Sequence, residues 1–164
     1  MKNNGYSVLT HGLQPVFNAE STTLILGSFP SVKSREIAFY YGHKQNRFWK
    51  VLAAIFNEET PPDNAEKRSF ILKHSLALWD VVGKCEIVGS SDASIRVIEV
   101  NDVADLIKNT SVDRVFLNGA TAKKLYDKYL YGTTGIEGFL LPSTSPANAA
   151  YNIDALVKAW SVIK

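Results

Sequence analysis

Four short apolar runs, separated by helical patterns, constrain this chain more than any other feature. They are Thr23–Gly27, residues 77–82, Arg114–Asn118 and Gly138–Leu141. Three of the four are almost wholly apolar and lack the alternation of a strand with one wet face, so they need cover on both sides. Helical patterns supply that cover. Within residues 46–57, Phe48, Trp49, Leu52, Ile55 and Phe56 recur at helical spacing. Residues 63–74 follow Pro61-Pro62, a common helix entry. Residues 102–108 read as a short helix that Asn101 can cap. Residues 121–131 stop at Gly132, and residues 147–163 form a last helix. Strand and helix in alternation predict an α/β fold with a parallel sheet and right-handed crossovers. The turn-rich stretches 58–64, 88–94 and 132–138 read as loops inside one domain spanning residues 1–164.

Composition narrows the function classes. With 164 residues the chain can bury a sizeable core. A formal charge of +2 does not by itself identify a nucleic-acid binder, so any such contact must rest on local clustering and backbone amides. Cys85 is the only cysteine, which excludes an internal disulfide and a four-cysteine cluster and makes a reducing cytoplasm the simplest compartment. No apolar segment reaches membrane length, and the first ten residues lack a signal-peptide core. His11, His43 and His74 show no metal-ligand spacing, so no metal is expected. Nucleophile-elbow, Rossmann and P-loop patterns are absent as well.

Parallel sheets bind ligands where loops leave the carboxyl ends of strands. Two phrases stand at such ends. Gly27-Ser28-Phe29-Pro30-Ser31 follows the first run, and its glycine permits close approach while its amides can face an acceptor oxygen. The same phrase also reads as a tight strand-to-helix turn. Ser143-Thr144-Ser145-Pro146-Ala147-Asn148 follows the last run and can grip phosphate through hydroxyls and helix amides. It reads equally as a serine turn followed by a helix cap. A third phrase, Tyr40-Tyr41-Gly42-His43 continuing to Asn46-Arg47-Phe48-Trp49, opens the first long helix. Tyr41 offers a surface on which a flipped base can stack, or fills the edge of the core. His43 can contact phosphate or assist a leaving group, or be structural. The Asn46 carbonyl can orient a water by position alone, or simply cap the helix. Arg47 fits a phosphate or a neighbouring carboxylate, and Phe48 and Trp49 fit the core.

Taken in order, Leu-Gly-Ser-Phe-Pro-Ser, Tyr-Tyr-Gly-His-x-x-Asn-Arg-Phe-Trp and Leu-Pro-Ser-Thr-Ser-Pro-Ala-Asn make the chain resemble the uracil-DNA glycosylase superfamily, in particular its hypoxanthine-DNA (deoxyinosine) branch. The resemblance covers residues 13–160. It implies a three-layer α/β/α sandwich on a short, mainly parallel four-stranded sheet. It also implies a monomer that removes a deaminated base, hypoxanthine first, from double-stranded DNA by base flipping and water attack, without metal or cofactor. The base pocket would be Gly27, Ser28, Phe29, Pro30, Ser31 and Tyr41. Asn46 and His43 would be catalytic, and Arg47 and Ser143 to Asn148 would hold DNA. Phe29 stands where superfamily members usually carry an acidic or amide residue, so the water-positioning role passes to Asn46. Ser143 replaces the usual histidine or asparagine of the last motif. Three alternatives stay open: a uracil or mismatch-specific glycosylase, a nucleic-acid-binding relative with weak catalysis, and a nucleoside hydrolase.

Overall fold

The computed structural model describes residues 5–89 and 91–164. In chain order the strands and helices are β1 Ser7–Thr10, β2 Thr23–Gly27, α1 Val32–Ile37, α2 Phe48–Ile55, α3 Asn64–Lys73, β3 Leu76–Asp80 and β4 Val82–Ile87. There follow β5 Arg96–Val100, α4 Val103–Lys108, β6 Arg114–Asn118, α5 Ala120–Tyr129, α6 Tyr131–Thr134, β7 Gly138–Leu141 and α7 Ile153–Trp160.

β2, β3, β6 and β7 form a sheet in the order β3-β2-β6-β7, with each neighbouring pair parallel. β2 lies at its centre and every one of its residues is buried. Successive side chains point to opposite faces, so this strand feeds two cores. Ile25 packs with Phe48, Leu52, Ile71, Leu156 and Trp160 from α2, α3 and α7. Leu24 and Leu26 pack with Val103, Leu106, Ala122 and Tyr126 from α4 and α5. Two apolar clusters on two faces of one sheet give the three layers. They also explain why the strands read as unbroken apolar runs.

A second sheet was not legible in advance. β1, β4 and β5 pair antiparallel in the order β1-β4-β5. The apolar run at 77–82, expected as one strand, is the end of β3, the linking Val81 and the start of β4. The chain changes sheets there while Val81 N–H donates to Gly27 O (2.9 Å) and Val82 N–H to Ser28 O (3.0 Å). Burial continues through the corner, so hydrophobicity carries no mark of it. Asn101 is not the cap of α4. Asp102 caps that helix by accepting from Asp105 N–H (3.1 Å). Asn101 instead donates from Nδ2 to Asp80 O (2.8 Å) and fastens the corner.

The last helix also starts later than expected. Asn152 caps α7 by accepting from Ala155 N–H (2.8 Å). The third phrase is therefore a loop, with no helix amides of its own. Similarly, α5 stops at Tyr129, and α6 carries the chain to Gly135, whose φ of 68° suits glycine. Among the described residues no helix is long and apolar enough to cross a membrane.

Candidate functional site

The chain runs from β2 to β3 on one side and later returns to β6 on the other, so strand order reverses beside β2. A cleft of about 610 Å³ opens at the carboxyl ends of these strands. All three phrases line it: Gly27, Ser28, Phe29, Pro30 and Ser31 from the first, Tyr41, His43 and Asn46 from the second, and Ser143 to Asn148 from the third.

Gly27 is required by contact. A Cβ there would stand 2.5 Å from Asp80 Oδ1, far inside van der Waals contact. The group that approaches so closely belongs to the protein. Ser28, Phe29 and Pro30 are buried behind Gly27. Ser31 caps α1, accepting from Ser34 N–H (3.1 Å), and the Ser34 hydroxyl in turn accepts from Gly42 N–H (2.9 Å). That bond ties the first phrase to the second. Tyr41 has a left-handed φ of 55° and stacks on Phe48 with ring centroids 3.9 Å apart. Its hydroxyl is buried without a hydrogen-bond partner among the described residues. Burial, and then the charge of Asp80, push that phenol above its usual range. The Asn118 amide pulls the other way, although its hydrogen bonds go to Thr144. His43 is exposed, and its Nδ1 accepts from Gln45 N–H (3.1 Å).

Asn46 departs from the sequence expectation. Its Oδ1 accepts from Phe48 N–H (3.0 Å) and from the Thr144 hydroxyl (2.9 Å). Both lone pairs are taken, and the Phe48 N–H fixes which end of the amide is oxygen. The carbonyl expected to hold a water is thus engaged by the protein, and Nδ2 is the polar atom left for the cleft. The capping role is real, one residue before the formal cap at Arg47.

Arg47 departs further. Nη2 donates to Ser145 O (2.8 Å) and Asn148 O (3.1 Å), Nε to Thr144 O (3.4 Å), and Nη1 to Tyr151 O. Four of its five N–H groups are used. The side chain expected to grip phosphate instead shapes the third phrase. Thr144, also expected to face DNA, is fully buried. It accepts from Asn118 Nδ2 (3.0 Å), donates to Asn46, and gives its own N–H to Asn118 Oδ1 (3.1 Å). Ser145 bends the loop by accepting from Ala147 N–H at its hydroxyl (3.2 Å), leaving Pro146 and Ala147 exposed on the rim.

Three acidic or amide residues of the cleft were missed. Asp80 and Asn118 are the last residues of β3 and β6. A search for polar residues at the end of every apolar run would have found Asn118; Asp80 lies inside the run read as 77–82, where it is the one charged residue. Asp80 is buried, and His11 Nε2 lies 2.7 Å from its Oδ2. The His11 ring is held from behind by the backbone of Leu13. Asp92 sits in the 3-10 turn Asp92–Ser94, inside a stretch that reads only as loop. Asp92 is exposed at the rim, yet desolvation on the cleft side pushes its carboxyl above the usual range, opposed by the Ser28 hydroxyl and reinforced by the Asp80 charge.

Residues 14–164 match the family model described as the uracil DNA glycosylase superfamily. A hypoxanthine DNA glycosylase of Methanosarcina acetivorans is 33% identical over 147 residues, covering 88% of this chain and 92% of that protein. A hypoxanthine DNA glycosylase of Methanosarcina barkeri is 33% identical over 141 residues, covering 84% and 87%. Among solved structures, that of a candidate uracil DNA glycosylase from Methanosarcina acetivorans, determined by solution NMR, superposes with a TM-score of 0.79. It is 27% identical, covering 96% of this chain and 99% of that one.

Proposed function

The chain belongs to the uracil-DNA glycosylase superfamily and is a DNA glycosylase, a hydrolase of N-glycosyl bonds; from that premise we propose that it excises hypoxanthine from double-stranded DNA. The observation that carries this reading is the joining of the three phrases around one cleft, with an aromatic, Phe29, at its buried wall and the Asn46 amide at its edge. Relatives that share most of the chain's length are named for hypoxanthine.

The base is flipped into the cleft, where Phe29 and the open face of Tyr41 offer π-surfaces. Backbone amides near Ser28 and Phe29 read its carbonyl edge. The glycosidic bond opens toward an oxocarbenium-like state. Such a cation needs a positioned water more than a strong base, so a neutral amide suffices. Asn46 Nδ2 holds that water, while the two bonds to its Oδ1 hold Asn46 itself. No lysine lines the cleft among the described residues. The enzyme is therefore read as monofunctional, because a lyase needs an amine at the sugar. The hydroxyls of Ser143 and Ser145 hold the strand beside the extruded nucleotide, since the amides of Thr144, Ser145, Ala147 and Asn148 are bonded within the protein. A single copy of the chain supplies every one of these residues, so a monomer suffices.

The test is single-turnover base release from matched duplexes carrying hypoxanthine, uracil, xanthine or ethenocytosine. Hypoxanthine should leave fastest. Preferred release of uracil would transfer the chain to a uracil-specific role. Tight lesion binding without release would make it a binding protein, and hydrolysis of free deoxyinosine alone a nucleoside hydrolase.

A further inference from the structure

A base held in the cleft leaves its phosphates outside. Among the described residues no lysine or arginine lines the cleft, whereas Asp80 and Asp92 do. That lining accepts a neutral base and offers a phosphate no cation. Arg47, the arginine of the second phrase, gives four N–H groups to carbonyls around the third phrase and is not free for DNA. The whole chain carries a formal charge of only +2, so phosphates must be met by cations gathered locally.

Such a gathering adjoins the cleft. A groove of about 370 Å³ is lined by Lys33, His43, Lys44 and Gln45, and His43 lines the cleft as well. Among the described residues no acid lines this groove, and all four of its residues are exposed. Lys33 stands on the first turn of α1, and the other three stand on the loop before α2. The loop is held against α1 by the bond from Gly42 N–H to the Ser34 hydroxyl (2.9 Å). A side chain at position 42 would collide with Ile37, so the glycine permits the approach that brings Lys33 beside Lys44. His43 Nδ1 accepts from Gln45 N–H (3.1 Å), which leaves the proton of a neutral ring on Nε2. The ring can therefore donate outward whether neutral or charged. Glu36 Oε2 lies 3.6 Å from Lys33 Nζ, but both side chains are exposed, and such a surface pair holds an ammonium weakly.

Resting on the reading above, that the substrate is double-stranded DNA, we propose that this groove is a phosphate track for the strand carrying the flipped nucleotide. His43 Nε2–H meets the phosphate at the mouth of the cleft, because His43 alone faces both cavities. The ammonium groups of Lys33 and Lys44 meet the neighbouring phosphates. The ligand is the phosphodiester backbone, so the track positions the strand and reads no base.

The test is equilibrium binding of the full chain to a hypoxanthine-containing duplex and to the matching undamaged duplex, between about 50 and about 200 mM salt. Lys33→Ala and Lys44→Ala should each flatten the slope of log affinity against log salt by about 0.9, and the double variant by about 2. Both duplexes should weaken by the same factor, because they share one backbone. The double variant Lys33→Arg with Lys44→Arg keeps both charges and should keep the slope. Lys108→Ala removes an exposed cation at the end of α4, where the chain turns to the amino end of β6, and should leave the slope unchanged. An unchanged slope in the double alanine variant, weakening confined to the lesion duplex, or an equal flattening by Lys108→Ala overturns this proposal alone. Failure of the unsubstituted protein to bind either duplex would overturn the reading of a double-stranded substrate and this proposal with it.

Discussion

Asn46, Thr144 and Asn118 form a relay of three side chains that joins the second phrase, the third phrase and the end of β6. A change at any of them acts on the cleft through the other two. Asn46→Ala removes the acceptor for both Phe48 N–H and the Thr144 hydroxyl, and with it the amide nitrogen assigned to the water. Base release should fall by about 10²-fold or more, the scale of losing a positioned polar group, while binding to lesion DNA persists. Single-turnover rates beside an equilibrium titration decide this; an unchanged rate would leave Asn46 as a helix cap only. Ser145 bends the loop from the rim through its bond with the Ala147 N–H. Ser145→Ala should weaken affinity for lesion DNA with little change in melting temperature. A complex in which this loop points away from the duplex would contradict that assignment.

Among the elements, the junction between α2 and α3 makes a pH-dependent contribution. Glu58 receives Lys73 and His74 from the end of α3, and their hydrogen bonds, Lys73 first, hold its carboxyl below the usual range. A depressed carboxylate stabilises the fold above its unfolded pKa of about 4.3, and that contribution is lost as pH falls through the lower folded value. Glu58→Gln should therefore melt earlier than the unsubstituted protein near neutrality, and the two melting curves should converge in acid. At this scale the sequence was legible where burial was two-sided. β2 and β6 fall on the expected residues because their unbroken apolar runs mark strands covered on both faces, and β7, at the edge with Phe139 and Leu140 exposed, falls on its expected residues through its apolar run alone. The antiparallel sheet escaped because β5 is half polar and β4 is fused in sequence to β3. The start of α7 escaped because Pro146 imitates a helix entry, whereas Asn152 is the cap. Every pocket residue expected from the phrases does line the cleft, since phrases at strand ends converge by topology. The roles of Arg47 and Thr144 were not legible, because they depend on partners about a hundred residues away.

For the molecule as a whole, substrate choice combines the cleft with the duplex it must open. Flipping costs a few kcal/mol and less when the pair is weak. Hypoxanthine opposite thymine is such a pair, and the aromatic Phe29 wall favours a larger ring. Hypoxanthine should leave faster than uracil from otherwise identical duplexes at fixed salt, since phosphate contacts make affinity depend on ionic strength. A clear preference for uracil would overturn the substrate while leaving the superfamily in place.

Trp160 lies fully buried beneath the cleft. Its indole N–H donates to Pro142 O (2.9 Å), and its ring meets the edge of Phe48, on which Tyr41 stacks. A ribosome has therefore made every residue that lines the cleft by Asn148, yet the support beneath them is still unmade. A chain halted after residue 151 carries the whole chemical inventory and should neither hold lesion DNA nor release a base. The chemistry of the cleft is thus encoded before residue 149, while its footing is encoded in the last turn of α7.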